Sequence, residues 1–176
     1  MRRTVCCAVA AATSVSVLAT ANATASTPSP DEARAKGNAR VVLAPKMVNK
    51  LNRANISVKA LKPAKATKFK GHPTVRFPVA KRAKKVVRLR GGLGFVKGSK
   101  RATAGRLRGN YKIGRVSARI NGSKRRFVFN ARKSSYPRFG NVRLVLTRYA
   151  AGSLNATFNT KQFERGDTFG YARVRR

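Results

Sequence analysis

The chain carries 41 Lys and Arg against 4 Asp and Glu in 176 residues, a formal net charge of +37. Charge of one sign at this density opposes any compact state. A fold compatible with it must spread the cations over an outer surface and keep a separate apolar interior. Hydrophobic residues nonetheless make up 42% of the chain, too many for a solvated basic tail. They alternate with the basic residues in short stretches. Period-two alternation places successive side chains on opposite faces of a strand, so a half-buried sheet meets the requirement. The length points to one domain.

The N-terminus has a different logic. Met1-Arg2-Arg3 is positive, Thr4 to Leu18 is uncharged and rich in Ala and Val, and Ala19-Thr20-Ala21, Ala21-Asn22-Ala23 and Ala23-Thr24-Ala25 are small-residue cleavage sites. This is the pattern of a signal peptide over residues 1–25. The apolar stretch is shorter than the about 20 residues of a membrane-spanning helix. The surroundings of Arg2-Arg3 match a twin-arginine signal poorly, so the general secretory route is expected. Cys6 and Cys7 both fall in this leader, which leaves the mature chain without disulfide or thiolate chemistry. Residues 26–39, with Thr27-Pro28-Ser29-Pro30, predict a flexible linker, and residues 40–176 a β-rich domain. No second apolar span follows. The expected location is extracellular, either released or retained at the cell wall by charge.

Within the domain, strands are expected at Arg40–Leu43, Ile56–Ala60, Thr74–Val79, Val86–Leu89, Leu93–Val96, Arg101–Leu107, Tyr111–Ile113, Arg115–Ile120, Arg125–Phe129, Val142–Leu146 and Tyr171–Val174. Pro78 argues for an edge or a bulge in its strand. Asn121-Gly122 is the strongest hairpin signal. Pro45–Asn52 and Arg148–Ala156 have helical spacing. Residues 40–52 also align without gaps with residues 143–155: Arg, Val, Leu, Leu and Asn recur at matching places. This predicts a twofold internal repeat of strand plus short helix, with Asn52 and Asn155 as helix-ending residues. The fold class is mainly β, a sandwich or barrel-like domain with two short helices. Its expected core is Val42, Leu43, Leu51, Phe77, Val79, Leu93, Phe95, Ile120, Phe127, Phe129, Leu144, Leu146, Leu154, Phe158 and Phe169.

The chemistry-bearing residues are few. His72 is the single histidine. Glu164 and Asp167 form the one carboxylate pair near the end of the domain, and Asp167 in Glu-Arg-Gly-Asp reads as a turn residue. No nucleophile elbow, phosphate-binding loop or zinc-type spacing occurs. The expectation is a non-enzymatic protein with no catalytic residues, no metal ligands and no required cofactor. Gly91-Gly92-Leu93-Gly94 reads as a sheet turn. The cations instead cluster, and strand alternation puts Arg88 with Arg90, and Arg106 with Arg108, on outer faces. The expected anion-binding residues are Lys84, Lys85, Arg88, Arg90, Arg106, Arg108, Lys124, Arg125 and Arg126. Their natural partners are anionic polymers, extracellular nucleic acid or envelope teichoic acids, held through phosphate with little base reading. Aromatic side chains able to stack on single strands are scarce: Tyr111, Tyr136 and Phe139.

The order of several short motifs carries a family resemblance. Strand, helix and Leu51-Asn52 are followed by Phe77-Pro78-Val79, Gly91-Gly92-Leu93, Leu146-Thr147, Leu154-Asn155, Phe158, Phe163, Gly166-Asp167, Phe169-Gly170 and Val174. Over about residues 40–175 this resembles the HtaA-type domain of secreted and surface proteins of actinobacteria. The resemblance implies a compact β-rich domain outside the cell and, for some members, haem bound through a Tyr with a His close by. Those members carry His directly before the Gly-Gly-Leu turn, where this chain has Arg90. Their ligand Tyr lies in a Ser-Phe-x-x-Tyr segment, and residues 40–52 contain no Tyr. Haem binding or haem uptake is therefore the alternative function, and it requires a different Tyr.

Overall fold

The computed structural model describes residues 37–175. The expected signal peptide and most of the expected linker lie outside the described residues. Among the described residues the elements are β1 (Asn38–Leu43), α1 (Pro45–Arg53), β2 (Ser57–Leu61), β3 (Lys65–Phe69), β4 (His72–Ala83), β5 (Val86–Leu89), β6 (Gly92–Lys97), β7 (Lys100–Asn110), β8 (Arg115–Ile120), β9 (Arg125–Lys133), β10 (Val142–Leu146), α2 (Arg148–Phe158) and β11 (Thr168–Arg175). Asn38 and Ala39 thus belong to the first strand rather than to the linker. No helix among the described residues is long and apolar enough to cross a membrane.

Eight strands close an antiparallel barrel in the order β7–β5–β4–β1–β11–β10–β9–β8, with β8 pairing back onto β7. The expected mainly β, barrel-like fold with two short helices is the fold observed. Closure leaves these strands no free edges, which suits a chain with strong exposed strands. The short β5 covers only the C-terminal parts of β4 and β7. The N-terminal parts of the same two strands pair instead with β3 and with β6, and β2 extends β6. The sheet therefore forks beside β5.

Local chemistry accounts for most of these elements. Asn121 and Gly122 both take positive φ, +48° and +76°, the geometry that turns β8 tightly into β9. Pro78 lies beside the register shift between Val79 and Lys81, where β4 bends to meet β5. Residues 111–113 are a turn and not the expected strand: the Asn110 side chain accepts from the Lys112 amide at 3.0 Å, Gly114 has φ +58°, and such Asx and Gly chemistry reverses the chain. β3, two lysines among five residues, carried too weak an apolar pattern to be expected.

The barrel interior centres on Phe77 and Phe169, both fully buried, with the Phe129 ring 4.8 Å from that of Phe169. The expected core is buried with two differences. Ile120 packs only partly buried against it, and Phe127 is 44% exposed. The register shift between Val116 and Ser117 gives β9 an extra residue, so Val128 and Phe129 both turn inward and Phe127 outward. Val41, Val42 and Leu43 are all buried, because β1 is covered on both sides. Phe139 reaches its outer side from the loop after β9: its carbonyl accepts from Arg40 at 3.4 Å, and its ring stacks near Tyr171 of the neighbouring β11 at 6.0 Å.

β1–α1 and β10–α2 are the two expected strand–helix units. Both helices start right after the matching positions Ala44 and Thr147, Leu51 and Leu154 are both buried, and both strands flank β11. Asn52 and Asn155 do not end their helices. The left-handed residues are Asn55 and Asn159. The Asn155 side chain clamps the chain after α2, donating to the Phe163 carbonyl at 2.7 Å and accepting from its amide at 3.1 Å.

Candidate anion-binding cavity

The fork beside β5 forms a cavity of about 740 Å³. The end of β2 brings Leu61 to it, the β2–β3 connection Lys62 and Pro63, β4 brings Ala80, and β5 with the following turn brings Arg88, Leu89, Arg90 and Gly91. The middle of β7 supplies Gly105 to Arg108, and β9 supplies Arg125. Five of the nine expected anion-binding residues thus meet in one place: Arg88, Arg90, Arg106, Arg108 and Arg125. Among the described residues no Asp or Glu lines the cavity.

Backbone irregularities build this convergence. Between Gly105 and Arg108, β7 carries one residue more than β8, and Arg106 sits at φ +50°, a conformation that few residues with a Cβ adopt. Its amide donates to the Gly91 carbonyl at 2.9 Å. Gly91 itself has φ +77°, and a Cβ there would lie 2.4 Å from the Leu61 carbonyl oxygen. Only glycine lets the β2–β3 connection approach so closely. Bulges of this kind re-aim side chains beside binding sites.

Among the described residues Arg125 is held without a carboxylate. Its Nη1 donates to the Arg106 carbonyl at 2.8 Å and to the Ser117 carbonyl at 3.3 Å. Burial lowers its pKa from the usual Arg value, and Arg108, Arg119, Arg88 and Arg106 lower it further. Arg88 and Arg108 are direct cross-strand partners, an arrangement of like charges that costs stability. The arrangement can therefore accept several negative charges on a compact body.

The other four expected residues lie elsewhere. Lys84 and Lys85 occupy the exposed β4–β5 turn, Lys124 the exposed turn before β9, and Arg126 the exposed start of β9, with its guanidinium 5.7 Å from the Tyr149 ring centre. The apolar walls, Leu61, Pro63, Ala80, Leu89 and Leu107, carry no local signal in the sequence. They come from four separate strands and connections, and only the fork assembles them.

Asp167 is a turn residue, as expected. One of its oxygens accepts from the Glu164 amide at 2.8 Å, and the carboxylate pairs with Lys50 of α1 at 2.7 Å. Among the described residues no group of three or more His, Cys, Asp or Glu side chains could hold a metal ion.

A second cavity, of about 440 Å³, is lined by His72, Tyr136, Arg138, Phe139, Tyr171, Thr168, Ala44, Pro45 and Lys46. Its aromatic groups touch in series: His72 meets Phe139 edge-on at 4.9 Å, and Tyr136 meets Tyr171 at 5.5 Å. Burial raises the Tyr171 pKa; Tyr136 adds to the rise and Arg143 opposes it.

No family model and no curated protein matches the sequence. Among solved structures, the chain is similar to the haem-binding protein HtaB from Corynebacterium glutamicum, over 78% of this chain and 90% of that one, at 9% identity and a TM-score of 0.49.

Proposed function

We propose that the protein is a non-enzymatic binder of anionic polymers, working outside the cytoplasm and engaging nucleic acid or envelope polyanions such as teichoic acids through its Arg- and Lys-covered sheet surface. The observation that carries this reading is the convergence of five arginines on one cavity without a lining carboxylate. An evenly spread positive surface attracts anions only over about a Debye length, roughly 8–10 Å at ordinary ionic strength. A cluster in a concave site adds a place where the polymer is held. Lys84, Lys85, Lys124 and Arg126 extend the field around it. Contacts of this kind go to the phosphate backbone and carry no sequence information.

The test is binding of a fluorescent single-stranded oligonucleotide, and in parallel of purified teichoic acid, to the chain lacking residues 1–25. Saturable binding at physiological salt that disappears near 1 M, where the Debye length falls to about 3 Å, is expected. Absence of binding, or binding that survives such salt, contradicts the reading.

A second reading is favoured by one observation: His72, Tyr136 and Tyr171 line the same cavity. This donor set fits a haem held through a Tyr oxygen. Tyr136 is 50% exposed and Tyr171 only 8%, so Tyr136 is the more accessible of the two to an iron centre. The group would supply its own ligand or redox chemistry, and the chain would hold and shield it. A haem titration in low and high salt decides. A Soret shift that persists in high salt and is lost in Tyr136→Phe supports this reading over the first; no shift, or one removed by salt, rejects it.

A further inference from the structure

We propose, resting on the polyanion reading above, that the cavity beside β5 is a receptor for a compact di- or triphosphate group, and that the exposed lysine turns serve only for diffuse attraction. Three observations converge on this. First, the cations differ in kind between the two places. Around the cavity they are Arg88, Arg90, Arg106, Arg108 and Arg125, with Lys62 the one lysine among the described lining residues, whereas the outlying residues are Lys84, Lys85 and Lys124 with the single arginine Arg126. Guanidinium groups present planar forks that match phosphate oxygens two at a time, while an ammonium acts as a point charge.

Second, one of these forks, that of Arg125, is set in place before any ligand arrives. Arg125 is fixed by the Arg106 and Ser117 carbonyls at 2.8 and 3.3 Å. Both bonds use Nη1, and a guanidinium has further donors to offer. The carbonyl that fixes it belongs to a left-handed residue in a bulge. Strain of this kind persists where the surrounding structure over-determines it, and it concentrates at ligand sites.

Third, the charge density suits one class of anion. Arg88 and Arg108 face each other across the β5–β7 ladder, with Arg106 and Arg125 beside them. Successive phosphodiesters of a polymer bring one charge each and are spaced apart by their sugars or polyols. A terminal di- or triphosphate places several charges on adjacent phosphorus atoms. The volume, about 740 Å³, falls in the range of small-ligand sites, roughly 300–1,000 Å³. Leu61, Pro63, Leu89 and Leu107 add an apolar wall against which the rest of such a molecule can lie.

The experiment is isothermal titration of the chain lacking residues 1–25 with tripolyphosphate and with orthophosphate at about 0.3 M salt, where diffuse surface binding is weakened. One tripolyphosphate per chain is expected, bound more tightly than orthophosphate. Arg88→Gln and Arg108→Gln should each weaken it by about tenfold or more, the worth of a hydrogen bond to a charged group. Lys161→Gln with Arg165→Gln, on the exposed loop after α2, removes more charge and should leave it in place. Neither cavity variant should melt below the parent without ligand, because each relieves cross-strand repulsion. Many weak equivalent sites, equal weakening by the loop variant, or a melting loss with binding intact would overturn the proposal. Two further arms separate the sources of the ligand. An oligonucleotide bearing a 5′-triphosphate that outbinds its 5′-hydroxyl twin assigns the cavity to a polymer end. Tight tripolyphosphate binding without such an end effect assigns it to a free oligophosphate. Binding of the 5′-hydroxyl oligonucleotide with no tripolyphosphate binding sinks the cavity assignment and spares the polymer reading; binding of neither removes both.

Discussion

The Arg40 guanidinium lies over the Phe69 ring at 3.5 Å and donates to the Phe139 carbonyl at 3.4 Å, while its Nε has no partner among the described residues. The residue is 6% exposed. Burial depresses its pKa, and Arg175, Arg173 and Arg76 depress it further. Arg173 and Arg76 are its direct partners on the two neighbouring strands. A buried cation with an aromatic neighbour, one long hydrogen bond and, among the described residues, no carboxylate is a net liability. Arg40→Met, which keeps the packing, should leave stability unchanged or raise it by about 1–4 kcal/mol in denaturant unfolding; a clear loss would show that the stacking outweighs the desolvation. Tyr171 gives the opposite case, a neutral group kept neutral. Its folded pKa lies above the unfolded value near 10. The stability this contributes is complete below the unfolded pKa and is lost as pH rises through the folded pKa. Melting temperatures measured from pH 8 upward should fall above about pH 10, and fall less in Tyr171→Phe. An identical decline in the variant would show that Tyr171 does not set the alkaline limit.

The elements read from the sequence were those whose signal is local. Asn121-Gly122, the two helices (one opening on Pro45, the other preceded by Thr147), and the alternating runs at Val86–Leu89 and Val142–Leu146 specify themselves through turn chemistry and period. The misses come from bulges and from coverage by distant segments. Phe127 reads as a core residue under strict alternation, and the extra residue in β9 turns it outward. Arg40 carries no local signal for burial, and Phe69 and Phe139, remote in sequence, cover it. The candidate site shows the same division. Its arginines were legible as outward-facing positions, but their convergence depends on the β7 bulge and on the contact between Gly91 and the β2–β3 connection. Gly91→Ala tests that dependence. A Cβ at φ +77° and 2.4 Å from the Leu61 carbonyl oxygen should destabilise the fold by about 1–3 kcal/mol and weaken anion binding, read by thermal melting and titration on the same sample. Unchanged melting and binding would mean that the fork is less tightly closed than the structure implies.

At the scale of the whole molecule, barrel closure answers the difficulty set by the charge. An apolar interior around Phe77 and Phe169 is sealed by eight strands without free edges, and most of the cations are left outside. Closure itself was not legible. It depends on β1 pairing with both β4 and β11 and on β7 meeting β8, pairings that period and turn chemistry do not encode. The outer charge is compensated in full only by something outside the chain. The most direct test of that claim is the salt dependence of oligonucleotide affinity for the parent and for an Arg88→Gln/Arg108→Gln double variant, by fluorescence anisotropy. The account predicts a linear fall of log K with log salt, with the double variant shallower by about 1.4 in slope, roughly 0.7 for each lost phosphate contact on a single strand. Equal slopes and affinities in the two proteins would contradict it and remove the cavity from the binding surface.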